Sequence, residues 1–351
     1  MEKKRSVVMA TGGSGGHVIP SETLARQLQT LNVEVVFFGH NIQTNPYLSP
    51  SLECVKVDVT AAPLALRTLG AFFIKNTHGF IKAFKQLRKI KPSCVVGFGS
   101  YHSFPVLLAA FVLKIPLVLY EANTMMGQVI KLFAPVAAVV ASPFKGLGHL
   151  KNFCHVTPVV KELNLEGYQK QELLTYFGLD PEKKSVLIVG GSQGSSVFNT
   201  QLVTKVCQEF EADKWQLIHL AGSHPLEPIE QLYKQRGFKA CVKSYEDKMA
   251  FAYKLCDLVI CRSGSTTLFE LSFFEKPAIL IPFAQSAQDH QKNNALHYAA
   301  SHHALVIEQK DLGAINLLNA FNSMGEGESL AKNNGAFLGS HRLEQKVLDL
   351  C

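Results

Sequence analysis

The sequence has no acid anywhere between Pro63 and Lys91, no Cys-x-x-Cys pair among its eight cysteines, and a single tryptophan in 351 residues. Each absence excludes something. With neither paired cysteines nor histidines at zinc-finger spacing, a structural zinc module cannot organise the chain. Cys94 and Cys261 sit instead in apolar, strand-like runs, where reduced and buried thiols of a cytosolic protein are expected. No apolar run is long enough to span a bilayer. Phe104–Tyr120 comes nearest, and Lys114 and Pro116 interrupt it, so a helix followed by a buried strand explains it better. The apolar run behind Met1–Arg5 is too short for a secretory signal.

What is present points to an anionic partner. The net charge is 35 − 28 = +7, which suits a nucleotide, a nucleic acid or an anionic membrane. Its distribution chooses among these. The acid-free stretch Pro63–Lys91 mixes Leu64, Leu66, Phe72, Phe73, Phe80 and Phe84 with Lys82, Lys85, Arg88 and Lys89. Apolar residues beside lysines suit the surface of an anionic bilayer, although a core helix with a solvated basic face accounts for the apolar residues equally well. No nucleic-acid motif accompanies the charge, so nucleic-acid binding is not expected.

At this length two domains are expected. Strand-like runs at Val7–Thr11, Val33–Gly39, Val55–Val59, Cys94–Phe98, Leu117–Tyr120 and Ala137–Ala141 alternate with helical segments, as in a doubly wound α/β domain. The rhythm breaks between Cys154 and Glu166 and then restarts with strands at Val186–Val189, Gln216–Ala221, Ala240–Lys243, Leu258–Cys261 and Ala278–Ile281. This places one domain at residues 1–158 and a second at 159–339, with a last helix in residues 340–351 packing back on the first.

Both halves open with the same device. Gly12-Gly13-Ser14-Gly15-Gly16-His17 and Gly190-Gly191-Ser192-Gln193-Gly194-Ser195 each link a strand to a helix start. Backbone N–H groups and the helix dipole favour an anion there, and glycines let it approach. Neither loop has the lysine of a P-loop. The second strand ends Phe38-Gly39-His40-Asn41, without the acid of a dinucleotide fingerprint. A third turn, Arg262-Ser263-Gly264-Ser265-Thr266-Thr267, again suits a diphosphate. One turn further on, Glu270 can accept hydrogen bonds from two ribose hydroxyls or simply favour the helix dipole. Pro282–Ala295 carries His290 and Gln291, side chains suited to sugar hydroxyls.

Taken in order, Gly12–Pro20 (GGSGGHxxP), Gly97–Pro105 (GFGSYxSxP), Tyr120–Asn123 (YEAN), Gly190–Ser195, Cys261–Glu270 and Pro282–Ala295 make the chain resemble the MurG family. The resemblance implies a GT-B fold, with two Rossmann-like parallel-sheet domains facing a cleft. It implies inverting transfer of GlcNAc from UDP-GlcNAc to an undecaprenyl-diphosphate-linked MurNAc-pentapeptide, without cofactor or active-site metal, at the cytoplasmic face of the membrane. It puts Ser192, Glu246, Ser265, Thr266, Thr267, Glu270, His290 and Gln291 around the donor, joined from the first domain by Ser14, Gly15, Gly16 and Asn123. Gly12, Gly13 and Tyr101 would serve the acceptor, whose diphosphate the opening loop is able to hold. His17 is the natural general base by residue type, with Glu121 as a second base or as its partner. Where the family has a linker arginine, this chain has Val160, then Lys161. A glycolipid transferase with another lipid acceptor, or a non-catalytic UDP-sugar-binding subunit of a wall-synthesis complex, are the alternatives.

Overall fold

The structure is a computed structural model that describes residues 5–59, 69–161, 165, 167–286, 289–324 and 339–351, with the side chains of 69–74 excepted. Pro63–Thr68 of the basic stretch and nearly all of the polar run Gly325–Gly339 lie outside the described residues. The chain divides into two compact units, Met1–Lys161 with Phe337–Cys351, and Glu162–Ala336.

The first unit is a seven-stranded sheet ordered β3-β2-β1-β4-β5-β6-β7, parallel at every pairing. Its strands are β1 (Ser6–Ala10), β2 (Glu34–Gly39), β3 (Glu53–Lys56), β4 (Cys94–Gly97), β5 (Leu117–Tyr120), β6 (Val139–Ser142) and β7 (Phe153–His155). The central strands β1, β4 and β5 are buried at every position, because helices cover both faces and each face demands apolar side chains. Helices α2 (Leu69–Ile90), α3 (Phe104–Val112) and α4 (Gln128–Phe133) share one core cluster with the sheet. On the other face lie α1 (Gly15–Thr30) and, from the end of the chain, α12 (Leu343–Leu348). Leu343 and Val347 are fully buried there, each stabilising the return by about 1.5–3 kcal/mol at most. Thr157 N–H donates to the His341 carbonyl at 2.9 Å, continuing that return.

The second unit repeats the plan with six strands ordered β10-β9-β8-β11-β12-β13, again all parallel. These are β8 (Lys184–Val189), β9 (Trp215–Leu220), β10 (Ala240–Lys243), β11 (Leu258–Cys261), β12 (Ala278–Leu280) and β13 (Ala304–Val306). The helices are α5 (Lys170–Phe177), α6 (Val203–Glu209), α7 (Glu227–Gln235), α8 (Met249–Leu255), α9 (Ser265–Phe274), α10 (His290–Ala299) and α11 (Leu317–Ser323). Gln169 and Glu172 close α5 with a capping box.

Three details differ from the sequence expectation. Phe153–His155 is an edge strand of the first sheet rather than the start of a linker, and β13 had no forecast. Both are three-residue edge strands with half-buried side chains, too short to show a period. The helical segment expected after Leu117–Tyr120 begins only at Gln128, because the Glu121 carboxylate takes the N–H groups of Asn123 and Gly127 at 3.0 and 2.8 Å and holds the intervening stretch as a loop.

In both sheets the order reverses beside the first strand of the unit, between β1 and β4 and between β8 and β11. Connections leave such a pair in opposite directions, and the crevice beyond the strand ends is where open α/β sheets bind ligands. Each glycine loop emerges at such a point.

Candidate active site

In the second unit, four turns at the C-terminal ends of β8, β11, β12 and β13 are tied together by one side chain. Arg262, 6% exposed, donates from Nη1 to the carbonyls of Ile281 and Pro282, both at 3.0 Å. Its Nη2 donates to Ser195 Oγ at 2.8 Å and Gln309 Oε1 at 2.9 Å. Phe198 and Phe283 lie over the guanidinium at 4.7 and 5.5 Å, where the ring faces attract a cation. Burial pushes the Arg262 pKa down to about 10, so it stays charged at neutral pH. Ser263 Oγ donates to the Gln291 carbonyl at 2.7 Å, and Phe283 N–H donates to Gln291 Oε1 at 2.9 Å.

On this frame α9 begins with Gly264 at its cap, no side-chain cap bond and no acid in its first turn. The first N–H groups of a helix have no intrahelical partner, and together with the Thr266 and Thr267 hydroxyls they are donors of the kind an anion accepts from. Glu270 is half-buried and accepts from the Tyr253 hydroxyl at 2.9 Å, which fixes its carboxylate. His290 Nδ1 is buried with no hydrogen-bond partner among the described residues, and burial lowers its pKa. Ser192 is exposed on the glycine turn. Gly194 has φ +79°, and a Cβ there would strike the Ala221 carbonyl, so only glycine fits.

Ser192, Ser265–Thr267, His290 and Gln291 therefore all belong to turns or first helical turns at three adjacent strand ends, and Glu270 lies one turn further along α9. Glu246 does not join them. It follows β10, two strands from β8. Its Oε1 accepts from the Tyr176 hydroxyl and Lys248 N–H at 3.0 and 2.8 Å, and its Oε2 from Lys243 at 2.6 Å. Its carboxylate is committed to packing α5 against α8.

In the first unit the histidine after the glycine loop has a defined tautomer. His17 Nδ1 lies 2.7 Å from the Phe98 carbonyl. A carbonyl only accepts, so Nδ1 carries the proton and Nε2 the lone pair. Thr11 Oγ1 donates to the His17 carbonyl at 3.2 Å, and Asn45 Nδ2 to the Gly13 carbonyl at 3.0 Å, so the turn is anchored at both ends. Gly13, Ser14 and Gly16 are exposed and α1 has no acid in its first turn. Glu121 is 4% exposed, and its oxygens accept from Asn123 N–H, Asn123 Nδ2 and Gly127 N–H at 2.8 to 3.0 Å. Burial pushes its pKa up while these donors pull it down.

Beneath Gly12 and Gly13 lies a side chain that the sequence reading missed. His102 is 8% exposed, and a Cβ on Gly12 would come within 2.9 Å of it. His40 stacks on its ring at 5.9 Å, and Tyr101 lies beside it at 4.0 Å. Arg262 was legible only as a polar residue directly after the buried strand β11, and His102, five residues beyond the end of β4 in the turn Tyr101–Ser103, left no local signal.

Two family models match the chain. They are the glycosyltransferase family 28 N-terminal domain over residues 7–142 and the family 28 C-terminal domain over residues 185–343. The chain belongs to glycosyltransferase family 28. Within that family it aligns with MurG-type transferases. A UDP-N-acetylglucosamine--N-acetylmuramyl-(pentapeptide) pyrophosphoryl-undecaprenol N-acetylglucosamine transferase of Protochlamydia amoebophila is 35% identical over 83% of this chain and 79% of its own. The Halothermothrix orenii protein of the same name is 31% identical over 93% of this chain and 92% of its own. A crystal structure of Acinetobacter baumannii MurG superposes with a TM-score of 0.74 at 24% identity, covering 99% of this chain and 98% of that one. A UDP-GlcNAc 2-epimerase from Neisseria meningitidis shares the fold at 13% identity, with a TM-score of 0.65 over 99% of both chains. The GT-B fold class thus holds for this family 28 chain.

Proposed function

We propose that this family 28 protein transfers GlcNAc from UDP-GlcNAc to the 4-hydroxyl of a lipid-linked MurNAc-pentapeptide, with inversion at the anomeric carbon. Relatives named for this transfer align over most of the chain. The observation that carries the chemistry is the His17 Nδ1–Phe98 hydrogen bond, which directs the basic lone pair to Nε2. That atom takes the proton of the attacking hydroxyl. Glu121, whose oxygens all face donors of its own loop, holds Asn123 and the loop in place instead.

As the glycosidic bond to UDP breaks, negative charge grows on the β-phosphate. The N–H groups at the start of α9, with Ser265, Thr266 and Thr267, meet that charge with preorganised dipoles. Glu270 takes the ribose hydroxyls, and His290 and Gln291 the sugar. In the first unit the turn Gly12–Gly16 receives the acceptor's diphosphate.

No helix among the described residues is long and apolar enough to cross a membrane. We assign the protein a peripheral place on the cytoplasmic face. Ile81 on α2, Phe111 and Val112 on α3, and Leu132 on α4 are exposed, and the same helices and their ends carry Lys85, Arg88, Lys89, Lys114 and Lys131. Replacing Lys82, Lys85, Arg88 and Lys89 together by Gln is expected to weaken binding to anionic vesicles, at about 1 kcal/mol per charge near the surface. Unchanged sedimentation with such vesicles would refute the assignment.

The decisive test is GlcNAc transfer from UDP-GlcNAc to the lipid-linked MurNAc-pentapeptide, with UDP-GalNAc as the donor control. Transfer to a diacylglycerol acceptor in its place would make the protein a glycolipid transferase.

A further inference from the structure

The loops that meet at the β1/β4 switch point, residues 10–17, 39–45 and 97–103, contain no Lys, Arg, Asp or Glu. Their potential cations are three histidines, His17, His40 and His102. We propose that His102, stacked on His40 beneath the Gly12–Gly13 turn, takes up a proton when the acceptor's diphosphate docks on that turn, making it a proton-linked positioning group for the lipid acceptor. The proposal rests on the reading of this turn as the acceptor's diphosphate site.

The geometry supports it in three ways. The His102 ring lies against the inner side of the turn, with Cδ2 and Nε2 at 3.2 and 3.4 Å from where a Gly13 Cβ would stand. Gly13 and Ser14 expose the turn's outer side. His102 is more than nine-tenths buried, and its Nδ1, like that of His40, has no hydrogen-bond partner among the described residues. A buried imidazole with an orphaned nitrogen is held neutral, because the charged form would add an unpaired N–H to the desolvation penalty. Burial first, then the neighbouring His40 and His17, push the His102 pKa down to about 4. Tyr101 is the other titratable group against the ring.

A diphosphate diester reverses this balance. It brings two negative charges to the exposed face of the turn and favours the imidazolium below. The sign follows from linkage: a group protonated only in the complex makes binding tighter as pH falls. The effect holds between the free and bound pKa values of His102, and a single linked proton gives up to about tenfold per pH unit.

The test is calorimetric titration of the full chain with a water-soluble, short-chain analogue of the acceptor, MurNAc-pentapeptide on an isoprenyl diphosphate diester. A diphosphate diester does not titrate near neutrality, so protons counted from buffers of different ionisation enthalpy belong to the protein. The native protein is expected to take up about one proton per analogue bound near pH 7 and to bind more tightly as pH falls from 8 to 6. His102→Phe keeps a ring under the turn and should abolish the uptake, whereas His17→Gln should keep it. Binding by the native protein without proton uptake overturns the proposal and leaves the acceptor reading standing. No binding at all overturns both. Uptake that survives in His102→Phe also overturns the proposal. Should His102→Phe fail to fold, His102→Gln takes its place, and uptake that survives in it overturns the proposal.

Discussion

Removing the guanidinium of Arg262 is the sharpest test of how the second unit is held together. In Arg262→Met the stem still packs, but the carbonyls of Ile281 and Pro282, Ser195 Oγ and Gln309 Oε1 all lose their donor. A buried acceptor left unpaired costs about 1–3 kcal/mol. The two carbonyls are fixed by the backbone and bear that cost, giving about 2–6 kcal/mol, whereas Ser195 and Gln309 can turn to other partners. Against this stands the desolvation of the guanidinium, no longer incurred, which offsets part of the loss. The net expectation is a loss of about 3 kcal/mol. Arg262→Lys should fall between, since an ammonium lacks the fork that reaches four acceptors. Trp215, the single tryptophan, is buried in the core cluster of the second unit, so its fluorescence in a urea titration follows that unit alone. A midpoint shift worth less than about 1 kcal/mol at unchanged m-value would refute the assignment of Arg262 as the tie between the turns.

Other residues give independent checks. Donors from Lys243, Lys248 N–H and Tyr176 overcome the burial of Glu246 and hold its pKa below the ordinary carboxylate value. The stability it contributes is therefore present above the unfolded pKa near 4.3 and lost as pH falls through the folded one. Glu246→Gln should lower stability by about 2 kcal/mol at pH 7, with the gap from the native protein narrowing below about pH 4 in thermal scans. Ser100 adopts φ 63° and ψ 149°, a region nearly reserved for glycine. Ser100→Gly should relieve about 1–3 kcal/mol of strain against about 0.5–1 kcal/mol of added chain entropy, a net gain of about 1 kcal/mol. A lower melting temperature would contradict it. Glu121→Gln turns an amide donor toward either Asn123 or Gly127 N–H, at a cost of about 1–3 kcal/mol. Hydrogen exchange at those two amides should quicken, and unchanged protection would show that the carboxylate does not hold the loop.

The central strands and both glycine loops were legible in the sequence because each is a statement about local pattern. A continuous apolar run such as Leu258–Cys261 admits few readings once a Gly/Ser turn closes it at Ser263–Ser265. The edge strands β7 and β13 left no trace, because three half-buried residues carry no period. Side-chain destinations were the harder part. Glu246 was expected near the donor, and its carboxylate is used between α5 and α8. Nothing local distinguishes the two fates, since Tyr176 lies seventy positions away in sequence. Gln291 was expected to contact sugar, and its Oε1 also pins Phe283 N–H, leaving its amide Nε2 as the donor it can offer.

The two units started from one plan and solved the same electrostatic problem differently. In each, a glycine turn after the first strand needs support from the strand on the other side of the switch point. Behind β11 that support is Arg262, a cation whose charge persists at neutral pH and whose four hydrogen bonds fix the turn before any ligand arrives. On the proposed reading a nucleoside diphosphate meets a turn already fixed, and its binding should owe little to pH. Behind β4 the support is His102, neutral when buried and without a partner for Nδ1 among the described residues. A turn backed by an uncharged ring attracts a diphosphate weakly until that ring is protonated. The contrast has a direct consequence for kinetics. KM for UDP-GlcNAc should stay nearly flat between pH 6 and 8, whereas KM for the lipid acceptor should fall toward the acid side, up to about tenfold per unit. Parallel profiles for the two substrates would mean that the units do not divide the work in this way.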